Sequence, residues 1–386
     1  MPDQRARFAI SAAAVFDGER FLPDHCVIVD GETVTQVLPD TNCPPDLQRV
    51  ELPGGTLAPG FIDLQVNGGG DVLFNNEPCR ETLDRMQVAH RATGTTSMLP
   101  TLLSDTIQCR QQAVAAVRAA REGGNPGILG IHLEGPWFAA ERRGAHRADL
   151  LQQPTAADID WLCSLAEPHL MVTLAPEQVA TGVIARLSAS GILVCAGHTN
   201  ASFEQIGEAM DHGLQGITHL FNTMSPLTSR APGTVGAALV DDRLWVGIIA
   251  DGQHVHPAGI RLAQRSKPAG RLVLVTDAMA TVGGRADTFE LYGEQVRRVG
   301  TRLVNSAGTL AGSDIGMIDA VRYSAAVVGL PLAECLRMAS LYPAAILQLD
   351  DRLGRIAGGY RADLVHFDRH FAVTDTWLAG GRLRHL

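Results

Sequence analysis

Gly60-Phe61-Ile62-Asp63-Leu64-Gln65-Val66-Asn67-Gly68, GFIDLQVNG, follows the turn Leu57-Ala58-Pro59. The apolar run is too short for a helix and is bounded by glycines, so it reads as a strand buried on both faces. In a strand Asp63, Gln65 and Asn67 share one face, because side chains alternate. That face ends in two neutral amides, which bind divalent transition metals poorly.

Seven further runs of this type follow: TSMLPTLL, GILGIHLEGP, HLMVTLAPE, GILVCAGHT, GITHLFN, LWVGIIADG and RLVLVTDAM. Helix-like stretches such as ETLDRMQVAHRAT, DTIQCRQQAVAAVRAAREG and SFEQIGEAMDHG separate many of them. Eight alternations over about 300 residues predict a (β/α)8 TIM-type barrel. A doubly wound sheet would want a Gly-rich phosphate fingerprint after its first strand, and NGGGDVLF contains none. Helices are expected near 313–327 and 331–349, and hairpin-like strands over 285–310.

The two chain ends differ from this middle. AVFDG, HCVIVDGETVTQVL and RVELPGG, and at the far end GRIAGGYRADLVHFD and AVTDTWLAGGRL, are β-branched runs punctuated by Asp-Gly and Gly-Gly turns. They predict a small β-sandwich domain built from residues 1–56 and 357–386, with the catalytic barrel over 57–356.

Composition excludes several classes. The chain of 386 residues carries a net charge of −9, the reverse of a nucleic-acid-binding protein. No apolar run is long enough to cross a membrane, and the start has no signal-peptide core. Seven cysteines, never in a C-x-x-C pair, read as reduced thiols of a cytoplasmic protein.

Ionisable residues recur at the C-terminal ends of the predicted strands, where barrel enzymes place their chemistry. Glu134 ends the third, His198 the fifth, His219 the sixth and Asp277 the eighth; His254 and His256 follow the seventh. Any one of these alone is as well read as a hydrogen-bonded rim residue or a helix cap. Together they converge on one point, and burying them without a metal would be costly. A carboxylate and two imidazoles, Glu134, His198 and His219, leave zinc an open position for water. His132 shares the face of Glu134 and is read as its support. Of the pair after strand seven, His256 is read as structural.

HLEGPWF, AGHTNASFEQI, THLFNTMSP, ADGQHVHP, VTDAMA and TLAGS, in this order, closely resemble the N-acetylglucosamine-6-phosphate deacetylases of the amidohydrolase superfamily. The resemblance covers nearly the whole chain. It implies hydrolysis of the N-acetyl group of N-acetyl-D-glucosamine 6-phosphate in amino-sugar catabolism or cell-wall recycling. It also implies a homodimer and one divalent metal per chain, zinc or an alternative such as iron, on Glu134, His198 and His219. Asp277 matches the acid/base carboxylate, and His254 the histidine that polarises the acetyl carbonyl. His146 matches a sugar contact, and Asn222 and Thr223 a segment near the phosphate. Arg230 matches the phosphate-binding arginine, which in family dimers reaches in from the neighbouring subunit. Leu310, Ala311 and Gly312 match the loop over the acetyl side.

The chemistry agrees. An unactivated amide needs a strong nucleophile, and a divalent metal lowers the pKa of water towards about 7. A carboxylate beside it can take the water proton and return it to the amine, and a guanidinium suits a phosphate.

Competing readings have distinct signatures. Two-metal amidohydrolases bridge their ions with a carboxylated lysine, but the single lysine, Lys267, lies off every strand end. Nucleobase deaminases keep a His-x-His pair where this chain has Gln65 and Asn67. An N-acetylgalactosamine-6-phosphate deacetylase differs only in one hydroxyl orientation and remains open. A non-catalytic scaffold would be expected to have lost several of the strand-end residues. The amides are expected to occupy the space of a second ion, where they hydrogen-bond water or meet the nucleophile indirectly.

Overall fold

The computed structural model describes residues 7–385. Eight parallel strands form the barrel: β1 (Phe61–Val66), β2 (Thr95–Leu103), β3 (Ile131–Glu134), β4 (Leu170–Leu174), β5 (Leu193–Ala196), β6 (Leu214–Ile217), β7 (Trp245–Ile248) and β8 (Leu272–Leu274). Each pairs with its sequence neighbour. Past the end of β8 the ring closes on β1: Asp277 N donates to Gln65 O and Asn67 N to Ala278 O, each at 2.9 Å. Every expected strand run forms, because strands covered on both faces need continuous apolar sequence.

The helices follow from capping and amphipathy. Helix α1 (Arg80–Arg91) buries Leu83, Met86 and Ala89 on one face. Helix α2 (Ile107–Glu122) starts at Thr106, whose hydroxyl accepts from Cys109 N, and α3 (Ala156–Ser164) starts with a Thr155/Asp158 capping box. Helices α4 (Thr181–Ala189), α5 (Phe203–Asp211), α6 (Gly233–Val240) and α7 (Pro257–Ser266) complete the outer ring to β8. The helix expected at 313–327 starts only at α8 (Met317–Tyr323) and continues as a wider π turn over Ser324–Val328. The helix expected over 331–349 is broken into α9 (Leu332–Ala339) and α10 (Leu341–Ile346). Pro343, which has no N–H to donate, sits in the first turn of α10 and forces a restart rather than a continuous helix.

The barrel lumen is not purely aliphatic. Asp63, Thr101, His132, Thr173, Thr218 and Thr276 are all buried and linked by hydrogen bonds: His132 Nε2 to Thr173 Oγ1 at 2.7 Å, Thr173 Oγ1 to Thr218 Oγ1 at 2.7 Å, and Thr276 Oγ1 donating to Asp63 at 2.5 Å. Satisfied networks of this kind stiffen the floor on which the mouth is built.

The β-sandwich draws on both chain ends. Thr56–Pro59 pairs antiparallel with Leu364–Phe367, and the sheet runs on through Arg7–Phe16, Phe21–Asp30 and Thr33–Pro39 on one side and Val373–Leu378 and Gly381–Arg384 on the other. Ile10, Val27, Val29, Leu57, Leu364 and Trp377 form its core. A three-stranded meander, Thr288–Leu291, Glu294–Val299 and Arg302–Val304, occupies the expected hairpin insertion.

Candidate active site

A cavity of about 300 Å³ opens at the C-terminal end of the strands. Glu134 is the last residue of β3, while His198 and His219 stand two residues past the ends of β5 and β6. His198, His219 and Asp277 have φ of 51°, 33° and 53°, and Thr223 has 49°. Left-handed backbone at non-glycine residues costs of order 1–3 kcal/mol each and gathers where side chains must be turned to a task. Here it bends the chain beyond β5, β6 and β8, at residues that all line one cavity.

Glu134 Oε1 lies 3.2 Å from His198 Nε2 and 3.1 Å from His219 Nε2, and the two nitrogens are 3.0 Å apart. All three side chains are buried. Arg142 O accepts from His198 Nδ1 at 2.9 Å, which turns the Nε2 lone pair towards the other two ligands. Only a cation shared by all three, a proton or a metal ion, relieves two imidazole nitrogens and a carboxylate crowded about one point. Burial opposes charge on Glu134, but hydrogen bonds from both imidazoles outweigh it and hold its carboxyl well below the usual range. Burial lowers His198; at His219 the Glu134 bond overcomes burial and raises the ring. The donor set, two nitrogens and one carboxylate oxygen, fits a divalent metal with an open position.

Asp277 faces this cluster. Burial first, then the negative charge of Glu134, pushes its carboxyl up to about 6, against the pull of His219 and His254 and the Asn67 bond. The two amides of β1 hold it directly. Gln65 Nε2 donates to Asp277 Oδ1 and Glu134 Oε1, each at 3.1 Å, and Asn67 Nδ2 donates to Asp277 Oδ1 at 2.6 Å. The amide nitrogens thus hold the two carboxylates, a role that the sequence did not show. Both donors meet Oδ1, and among the described residues no hydrogen bond engages Oδ2.

The other expected residues divide clearly. His146, Asn222, Thr223, His254, Leu310, Ala311 and Gly312 line the cavity with the metal-type trio and Asp277. His146 Nδ1 accepts from Ser104 N at 3.2 Å, and burial first, then nearby His198, holds the ring well below its ordinary pKa. Because Nδ1 accepts, the neutral ring carries its proton on Nε2, where it is a hydrogen-bond donor. Asn222 Nδ2 donates to His219 O, whereas the buried Thr223 hydroxyl has no partner among the described residues. Gly312 has φ +68°, and a Cβ there would lie 2.7 Å from Met279 Sδ and 3.0 Å from Asp277 O, so the loop passes this close only as glycine. Arg230 is exposed and stands apart from the cavity lining. His132 is clasped in the lumen by Thr101 and Thr173, and burial pushes it down to about 4. His256 caps α7, its Nδ1 accepting from Ala258 N at 3.1 Å.

Three contributors escaped the sequence reading. Ser104 fixes His146, and Asp63 anchors the floor beneath the amides through Thr276 and Gln65 N. Asp251 binds His254 Nδ1 at 2.6 Å. Only the last left a local signal, an aspartate three residues before the histidine in a turn after a strand.

Residues 56–383 match the amidohydrolase family, and residues 8–57 match the NagA composite domain. The chain is 43% identical to the N-acetylgalactosamine-6-phosphate deacetylase of Shewanella sp. (strain ANA-3), over 93% of this chain and 92% of that one. It is 33% identical to the N-acetylglucosamine-6-phosphate deacetylase of Haemophilus influenzae, over 97% and 98%. The crystal structure of N-acetylglucosamine-6-phosphate deacetylase from Pasteurella multocida superposes with a TM-score of 0.95 at 36% identity, covering 98% of this chain and all of that one. A variant of the Mycobacterium smegmatis enzyme in complex with N-acetyl-D-glucosamine 6-phosphate superposes with a TM-score of 0.90 at 32% identity, with the same coverage.

Proposed function

The chain belongs to the amidohydrolase family, and we propose that it hydrolyses the N-acetyl group of N-acetyl-D-glucosamine 6-phosphate to acetate and D-glucosamine 6-phosphate. The observation that carries this reading is Asp277, with one oxygen pinned and the other open, beside the Glu134–His198–His219 cluster in a sugar-sized cavity.

Glu134, His198 and His219 would hold one divalent ion per chain. Zinc suits their borderline nitrogen and oxygen donors, with iron the alternative. When bound, the ion supplies Lewis-acid polarisation and acidifies water. Asp277 takes the water proton at Oδ2 as the oxygen adds to the acetyl carbon. The same carboxyl then returns that proton to the sugar nitrogen as the C–N bond breaks, leaving a neutral amine and acetic acid, which loses its remaining proton to become acetate. His254, with Nδ1–H donated to Asp251, presents Nε2 to the acetyl oxygen and, when that nitrogen also carries a proton, stabilises negative charge developing there. His146 Nε2–H and the Thr223 hydroxyl are donors for the sugar and its phosphate, and Asn222 holds the backbone turn beside them. Leu310, Ala311 and Gly312 cover the acetyl methyl.

Arg230 supplies the phosphate's guanidinium in a homodimer. Its exposure away from its own cavity suits a residue offered to a neighbouring copy. Seven free cysteines suit the reducing cytoplasm.

A second reading, the galacto epimer, is favoured by the 43% identical relative. One experiment covers both: amine release from N-acetylglucosamine, N-acetylgalactosamine and their 6-phosphates. The 6-phosphates should react on the order of 10²-fold more efficiently, as loss of several charge-assisted contacts predicts. Equal rates on the free sugars would sink the phosphate site. A preference for the galacto phosphate would replace the substrate and leave the mechanism standing.

A further inference from the structure

The loop after β7 places a buried carboxylate behind His254. The Asp251 side chain is 2% exposed and that of His254 8%. Asp251 Oδ1 accepts the backbone N–H of Gln253 and of His254, each at 2.8 Å, and Oδ2 accepts from His254 Nδ1 at 2.6 Å. The first two bonds make a local turn, which any aspartate of a structural loop can do. The third commits a separate oxygen to the imidazole and to no other group among the described residues.

The surroundings keep that geometry from relaxing. Gly252 has φ +74°, and a Cβ there would lie 2.5 Å from Tyr323 Oη, so the turn is packed against the end of α8. Beyond Tyr323 the π turn is tied to α7, where Arg261 Nε donates to Val328 O at 2.7 Å. With Nδ1 occupied, the remaining ring nitrogen is Nε2, and His254 lines the same cavity as Glu134, His198 and His219.

We propose that Asp251 is the positioning residue of His254: its carboxylate fixes the proton on Nδ1 and aims Nε2 at the acetyl carbonyl. It also offsets the positive charge of the ring when Nε2 carries a proton as hydrogen-bond donor. Asp251 does not line the cavity and hydrogen-bonds none of Glu134, His198 and His219, so it acts through His254. The inference rests on the role given to His254 above, and its test has a readout that does not depend on turnover.

Nitrogen-15 NMR of the imidazoles reads the tautomer directly, with His254→Ala identifying the resonance. The parent should show Nδ1 of His254 protonated, and Asp251→Asn should shift or broaden that signal. An unprotonated Nδ1 in the parent, or an unchanged signal in Asp251→Asn, overturns the contact. In kinetics, Asp251→Asn should lower kcat about 10- to 100-fold with KM within about twofold, because the lost aim matters most in the transition state. In the His254→Ala background the same substitution should cost no more than about twofold. Losses that multiply, or a full rate in Asp251→Asn, refute the positioning role. Should the asparagine variant melt well below the parent, Asp251→Ser keeps an oxygen for the turn and is carried through the same cycle. If His254→Ala alone retains the parental rate, the catalytic reading of His254 fails, while the Nδ1 signal still decides the contact.

Discussion

The two sides of the barrel mouth are built from different chemistry and do different work. On one side Glu134, His198 and His219 bring three ligand atoms to one point, with burial raising the cost of leaving them without a cation. On the other, Gln65 and Asn67 occupy the end of β1 and aim their amide nitrogens at Asp277 Oδ1, with Gln65 also reaching Glu134. The amide nitrogens so committed stabilise the neighbouring carboxylates, and amide oxygens are poor ligands for a divalent transition metal. One side is a metal-type site; the other holds the carboxylate proposed to move the proton.

The largest effect should come from the cluster. His219→Ala should lose the bound ion and lower the deacetylation rate on the order of 10³-fold or more, whereas the parent should carry about one tightly bound ion per chain. Metal analysis of both proteins checks this; a parent with two ions, or a variant that keeps its metal and its rate, breaks the division between the two sides. A smaller effect is expected across the mouth. Asn67→Ala should retain the metal and lose about tenfold in kcat, since Asp277 gives up its 2.6 Å donor while the ligand set stays whole. Metal loss in that variant would mean that the amides belong to the ion after all.

The smallest effect lies beneath the amides. Burial, opposed by the Thr276 hydroxyl and backbone donors, pushes Asp63 up to about 7. The folded value is above the unfolded one near 4, so this group's stabilising share is fully present below about pH 4 and is lost as pH rises through about 7. Asp63→Asn removes the ionisation, and its Tm should fall less than the parent's between pH 5 and 8, by a few degrees. Parallel Tm curves across that range would show that Asp63 does not titrate there.

Much of this architecture was legible in the chain. Eight apolar runs forecast eight strands because a strand covered on both faces has no choice of composition. Asp-Gly turns forecast the hairpins of the sandwich because positive φ selects glycine. The break between α9 and α10 was less legible, since amphipathic spacing continues across it and only Pro343 hints at a restart. Ser104 left no signal at all: its bond to His146 spans 42 residues of sequence and exists only when β2 and the loop after β3 meet.

The sequence by itself determined the class of fold, the identity of the ligand-type residues and the two neutral amides on β1, because strand periodicity and residue chemistry are local properties. Only the tertiary structure decided what those amides do. Gln65 and Asn67 reach Asp277 across 212 and 210 residues, and that contact forms when the end of β1 closes against the chain beyond β8. The same closure, with burial, gives Asp277 one held oxygen and one open one. That asymmetry comes from packing in three dimensions, and no spacing along the chain encodes it.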